Sequence, residues 1–166
     1  MGRTTSLFVA IGFMMAGCGP EPVAESAIPN VAPTRPVNNP FPQATEMRLF
    51  VETARDAGGR PVFGMANGRK LSSKQRQAFE ASLIVEPLPD SVDACFIPHH
   101  FFRYFDAKGR KVGQVSVCFC CSGVAVSDGS NIVVGKDQQV GADYTKLEAF
   151  VRSLGESTEA QCSSNS

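Results

Sequence analysis

Tryptophan is absent from this chain of 166 residues, and tyrosine and histidine occur only twice each. Aromatic burial therefore falls to phenylalanine, of which there are twelve. Net charge is absent too, since sixteen basic residues balance sixteen acidic ones. No run of Lys and Arg stands out, so the electrostatic footprint of a nucleic-acid binder is missing. No apolar run is long enough to cross a bilayer as a helix. No Gly-x-Ser-x-Gly elbow occurs, so no local motif assembles a hydrolase triad. His99 and His100 are adjacent, which removes the two separated histidines of a blue-copper centre. Residue 122 is Ser, so Cys118-x-x-Cys121 lacks the following histidine needed for haem attachment. No internal repeat stands out at the scale of a repeat protein.

A hydrophobic fraction of 43% and a mean hydropathy of -0.06 fit one ordinary globular body. The organising stretch is Cys95 to Cys121. It holds both histidines, four of the six cysteines and five of the twelve phenylalanines. Phe101 to Phe105 reads as an aromatic strand. Asp106-Ala107-Lys108-Gly109 reads as a turn. From Lys111 the chain alternates, with Val115, Val117, Phe119 and Cys121 on one face and Gln114, Ser116, Cys118 and Cys120 on the other. Together these predict a hairpin. With Phe105 opposite Arg110, Cys95 falls opposite Cys120 and His99 opposite Ser116. A loop longer by one residue sets Cys95 opposite Cys121 and His100 opposite Ser116. Pro98 must interrupt the ladder.

Elsewhere, Glu46 to Ala54 and Pro61 to Met65 read as strands around Asp56-Ala-Gly-Gly59, and Asn67-Gly68 as a further turn. Ser72 and Gln75 form a capping box for a helix over Lys74 to Leu83, ended by Pro87 and Pro89. Val124 to Val126 and Ile132 to Val134 flank a turn and predict a second hairpin. Asp143 caps a last helix carrying Leu147, Phe150, Val151 and Leu154, with Gly155 after it. The expected fold is α+β, a small, mostly antiparallel sheet with two flanking helices.

The first eighteen residues have their own logic. Arg3 and the amino terminus supply positive charge, and Leu7 to Ala16 is an apolar run of signal-peptide length. Met15-Ala16-Gly17-Cys18 follows at once. This resembles the lipobox of bacterial lipoprotein signal peptides, usually Leu-Ala/Ser-Gly/Ala-Cys, with Met15 in place of Leu. The resemblance implies cleavage between Gly17 and Cys18 and diacylation of Cys18. Gly19, rather than Asp, implies sorting to the outer membrane, facing the periplasm. Met1-Gly2 also fits N-myristoylation, but the apolar run makes Gly2 part of the charged leader. Seven prolines lie between Gly19 and Pro42, a composition suited to an extended tether. The expected divisions are a signal peptide at 1–17, the lipidated Cys and linker at 18–42, the globular domain at 43–155 and a polar tail at 156–166. The implied partner is the membrane, through the lipid anchor, with an envelope protein as a further class of partner.

Five cysteines remain after Cys18, an odd number. In an oxidising compartment the plain reading is a disulfide from Cys95 to Cys118, Cys120 or Cys121. The sharper reading is a metal site. Cys95, His99 or His100, Cys118 and Cys121, with Cys120 as a further candidate, would offer sulfur and nitrogen to tetrahedral Zn²⁺, or paired thiols to Cu(I). A third reading is thiol–disulfide exchange at Cys118 and Cys121, although no helix start is visible there. The stretch also resembles small uncharacterised bacterial envelope proteins with Cys-Phe-x-Pro-x-His, a hairpin, then Cys-Phe-x-Cys. Here that pattern falls on Cys95, Phe96, Pro98, His100, Cys118, Phe119 and Cys121. The resemblance favours His100 over His99 and carries no activity. The functional expectation is a lipid-anchored, non-enzymatic binding or structural module. The alternative is a periplasmic thiol–disulfide oxidoreductase.

Overall fold

The computed structural model describes residues 34–89 and 96–159. These all belong to one compact unit that begins at Val31. Cys18, Cys95, Cys162, the expected signal peptide and most of the expected tether lie outside the described residues. No described helix is long and apolar enough to cross a membrane.

The fold is α+β, with antiparallel sheets and two helices. The sheets are more extensive than the small one expected, because nine described strands form two of them. In the larger sheet, β2 (Glu46–Arg55) pairs with β6 (His100–Phe105), β6 with β7 (Lys111–Cys118), and β7 with β8 (Gly123–Val126). The other edge of β2 is shared by β3 (Pro61–Phe63) and β4 (Arg69–Leu71). In the smaller sheet, β5 (Leu83–Pro87) lies between β1 (Arg35–Pro36) and β9 (Gln138–Ala142).

Strand alternation sets the core. Met47 and Leu49 of β2, Phe102 and Tyr104 of β6, and Val115 and Val117 of β7 turn to one face and are buried. Helix α1 (Ser73–Glu80) adds Phe79, and α2 (Tyr144–Ser153) adds Leu147, Phe150 and Val151. Phe79 stacks on Phe102 with centroids 3.7 Å apart. The opposite face is aromatic as well, where the Arg103 guanidinium lies 4.3 Å from the Phe50 ring centroid and 4.8 Å from that of Phe63.

Two loops of identical design close the hairpins. In Asp56–Arg60 and Asp106–Arg110 the Asp backbone N–H donates to the Arg carbonyl at 3.0 Å. The Asp Oδ1 accepts from two backbone N–H groups. Gly59 and Gly109 take φ of 76° and 74°. This is a three-residue loop with glycine in the left-handed position. The recurring Asp-Ala-x-Gly-Arg was its sequence signal.

That loop corrects the expected register. Asp106 pairs across to Arg110, and a further irregularity between Tyr104 and Phe105 sets Phe105 opposite Lys111. His100 therefore faces Val117, and Phe101 faces Ser116. Three other expectations also change. Helix α1 stops at Glu80, and Leu83 opens a strand whose Leu83 and Val85 are fully buried. Ile132 to Val134 is not a strand. Val133 is 75% exposed, and β9 pairs with β5 instead. The folded body also reaches past both expected ends of 43–155. Val37 and Phe41 join the core, and Thr158 is buried. Arg76 fastens the early segment by donating to Phe41 O, Ala44 O and Asn39 Oδ1.

Candidate functional site

The site grows from the end of β7. Cys118 is the last residue of that strand, and Phe119 to Ser122 turn the chain so that Gly123 pairs back on Cys118. Ser122 makes the turn at φ 47°, a left-handed conformation uncommon for a residue with a Cβ. Gly123 leaves room for the ring of Phe96. A Cβ there would lie 2.5 Å from Phe96 Cδ2 and 3.7 Å from Cys121 Sγ. The turn thus gathers Cys118, Cys121 and Phe96 about one glycine.

Cys120 takes part in a disulfide. Cys118 and Cys121 are not its partners, so the other half lies outside the described residues. Cys118 is a thiol, 2% exposed.

The two histidines have separate surroundings. His100 points into the core, 1% exposed, and its Nε2 lies 2.9 Å from the Ser157 carbonyl oxygen. A carbonyl only accepts, so Nε2 carries the proton. Phe119 meets the His100 ring edge-on at 4.8 Å. Burial holds the His100 pKa down to about 4, against the smaller opposing effect of the Ser157 bond. The ring is neutral near pH 7 and pins the segment after α2 to the sheet.

His99 lies on the other face. It precedes β6, and its carbonyl accepts from Glu52 N–H at 2.8 Å. Its Nδ1 stands 3.7 Å from Glu52 Oε2. Glu52 is fully buried, although it is an acidic residue. Arg55 supports it, with Nη2 donating to Oε2 at 3.3 Å and Nε 2.9 Å from Oε1. The Nε contact is off the line of a hydrogen bond, and Oε1 has no hydrogen-bond partner. Glu52 was not among the residues expected at the site. A charged residue on an alternating strand reads as solvated surface, and only its place beside Phe50 hinted otherwise.

By alternation, Phe50, Phe101, Ser116 and Ala125 form a row across the sheet. Glu52, His99, Cys118 and Gly123 follow two residues further along the same face. The structure therefore sets His99, rather than His100, on the face with Cys118. Among the described residues no three His, Cys, Asp or Glu side chains converge to hold a metal ion. Cys95, the fourth member of the expected ligand set, lies outside them.

On the core side of the turn, Phe119 meets Tyr144 edge-on at 6.1 Å. The Tyr144 hydroxyl is buried without a partner. Burial first, then the nearby Cys118, Cys121 and Glu86, hold its pKa above the ordinary value. The phenol stays protonated.

No family model, curated protein or solved structure matches this chain.

Proposed function

We propose that this chain is a lipid-anchored protein of the bacterial cell envelope whose domain is a non-enzymatic binding or structural module. The disulfide at Cys120 carries the reading. Disulfides persist in oxidising compartments, and a leader ending in Met15-Ala16-Gly17-Cys18 delivers a protein to one. The staple lies at the turn joining β7 to β8, where it fixes the edge of the larger sheet. We assign its other half to Cys95. Phe96, the next residue, rests its ring over Gly123, three residues from Cys120. Lipid on Cys18 would hold the module at the outer membrane, and the prolines of the tether would set its reach.

The exchange-enzyme alternative has weaker support. A reactive Cys-x-x-Cys cysteine gains its low pKa from a helix N-terminus, whereas Cys118 ends one strand and the motif leads directly into another.

Intact-mass and peptide mapping of the chain, expressed with its own leader, tests the proposal. The expected product starts at diacylated Cys18 and contains a Cys95–Cys120 linked peptide. An unprocessed or unlipidated chain would overturn the anchor. Reduced Cys95 and Cys120 would overturn the staple.

A further inference from the structure

The unpaired edges of the two sheets, β8 and β9, enclose a cavity of about 350 Å³ beside the cysteine turn. Its walls include Phe96, Val124, Val140 and Cys121, and its charged group is Glu86. Ile84 pairs with Gly141 and Glu86 with Gln139, so Glu86 shares a sheet face with Gly141. The carboxylate folds over that glycine. A Cβ on Gly141 would lie 1.9 Å from Glu86 Oε1. Gln139 Nε2 donates to the same oxygen at 3.1 Å. Among the described residues no cation pairs with Glu86.

Two strand glycines thus border one cavity, Gly141 beneath the carboxylate and Gly123 beneath the Phe96 ring. Neither adopts the left-handed conformation that would require glycine. Glycine inside a strand weakens it unless something must approach the backbone closely. Here a carboxylate and an aromatic ring make those approaches. An aromatic wall and an unpaired carboxylate in one concave site are the complement of a cation on an apolar body.

We propose that this cavity binds a small organic cation, an ammonium or guanidinium group carried on an apolar body. Glu86 would pair with the charge while Gln139 holds its other oxygen, and Phe96 would cover the apolar part. The proposal rests on the binding-module reading and gives it a ligand class. Its failure is separable, because lipidation and the disulfide are read by mass alone.

The test uses the full chain in mild detergent, titrated with benzylamine and with its neutral analogue benzyl alcohol. Amide shifts of residues 123–125 and 139–141 are followed by NMR. Benzylamine should move these signals and bind about tenfold more tightly than the alcohol, a difference of about 1.4 kcal/mol. Glu86→Gln should abolish that preference while leaving the rest of the spectrum unchanged. Equal binding of amine and alcohol by the natural chain would overturn the proposal, as would no binding at millimolar amine. So would an undiminished amine preference in Glu86→Gln.

Discussion

His99 Nδ1 stands 3.7 Å from Glu52 Oε2, and Glu52 has no solvent exposure. A buried carboxylate is costly unless paired. The pairing falls to Arg55, which reaches both oxygens from a half-exposed position. Arg55→Ala should therefore leave the buried carboxyl without its partner and lower stability by about 1–3 kcal/mol. Arg60→Ala removes an arginine whose side chain is 84% exposed, and should produce a much smaller loss. Urea denaturation of the two variants makes the comparison. Equal losses would show that Glu52 does not depend on Arg55.

His100 makes stability depend on pH. Its folded pKa is about 4, against an ordinary value of 6.5. The folded state favours the neutral ring, so its contribution is fully present above pH 6.5. As pH falls from 6.5 toward 4, the unfolded chain takes up a proton that the folded chain refuses. The contribution is then lost, by about 3 kcal/mol in all. Urea midpoints measured from pH 7 to pH 4 should fall for the natural chain. His100→Gln, which cannot titrate, should give a flatter profile. Parallel profiles would remove His100 as the cause.

Much of this fold was legible where local chemistry decides. Ser72 with Gln75, Asp143 before α2 and the two Asp-Ala-x-Gly-Arg loops act within a few residues of themselves. What escaped depended on distant partners. Leu83 to Val85 is a short apolar run that suits either a helix or a strand, and pairing with β9 decides it. The face of each histidine followed from strand parity. The loop one residue longer would set His100 opposite Ser116, and the irregularity between Tyr104 and Phe105 moves it one step on to Val117, which reverses its face. Glu52 was hidden for the same reason, since its burial comes from strands far away in the chain.

Phe41 shows how a proline-rich segment can still enter a core. Its ring is fully buried and meets Tyr104 at 4.7 Å. The space it fills is the missing side chain of Gly113, where a Cβ would lie 2.2 Å from Phe41 Cε1. Gly113→Ala should displace the ring and cost about 1–3 kcal/mol. Phe41→Ala should cost about 3–5 kcal/mol by leaving a cavity. In the double variant the second change should cost less than it does alone, because both act on one space. Additive losses in thermal or urea melts would place Phe41 elsewhere.

Cys118 distinguishes a packing cysteine from a working one. It is 2% exposed and ends the strand that carries Val115 and Val117 into the core. A thiol so placed behaves as a small apolar group. Cys118→Ser buries a hydroxyl that must find a partner, and should lower stability by about 1–3 kcal/mol. Cys118→Ala keeps the site apolar and should cost less. Alkylation by iodoacetamide should be slow in the folded chain and fast once it is unfolded in urea, because reagent reaches the sulfur only after opening. If Cys118 instead served disulfide exchange, both substitutions would leave the urea midpoint unchanged and abolish reduction of a model disulfide. Rapid alkylation of the folded chain together with an unchanged midpoint in Cys118→Ser would therefore favour exchange over packing.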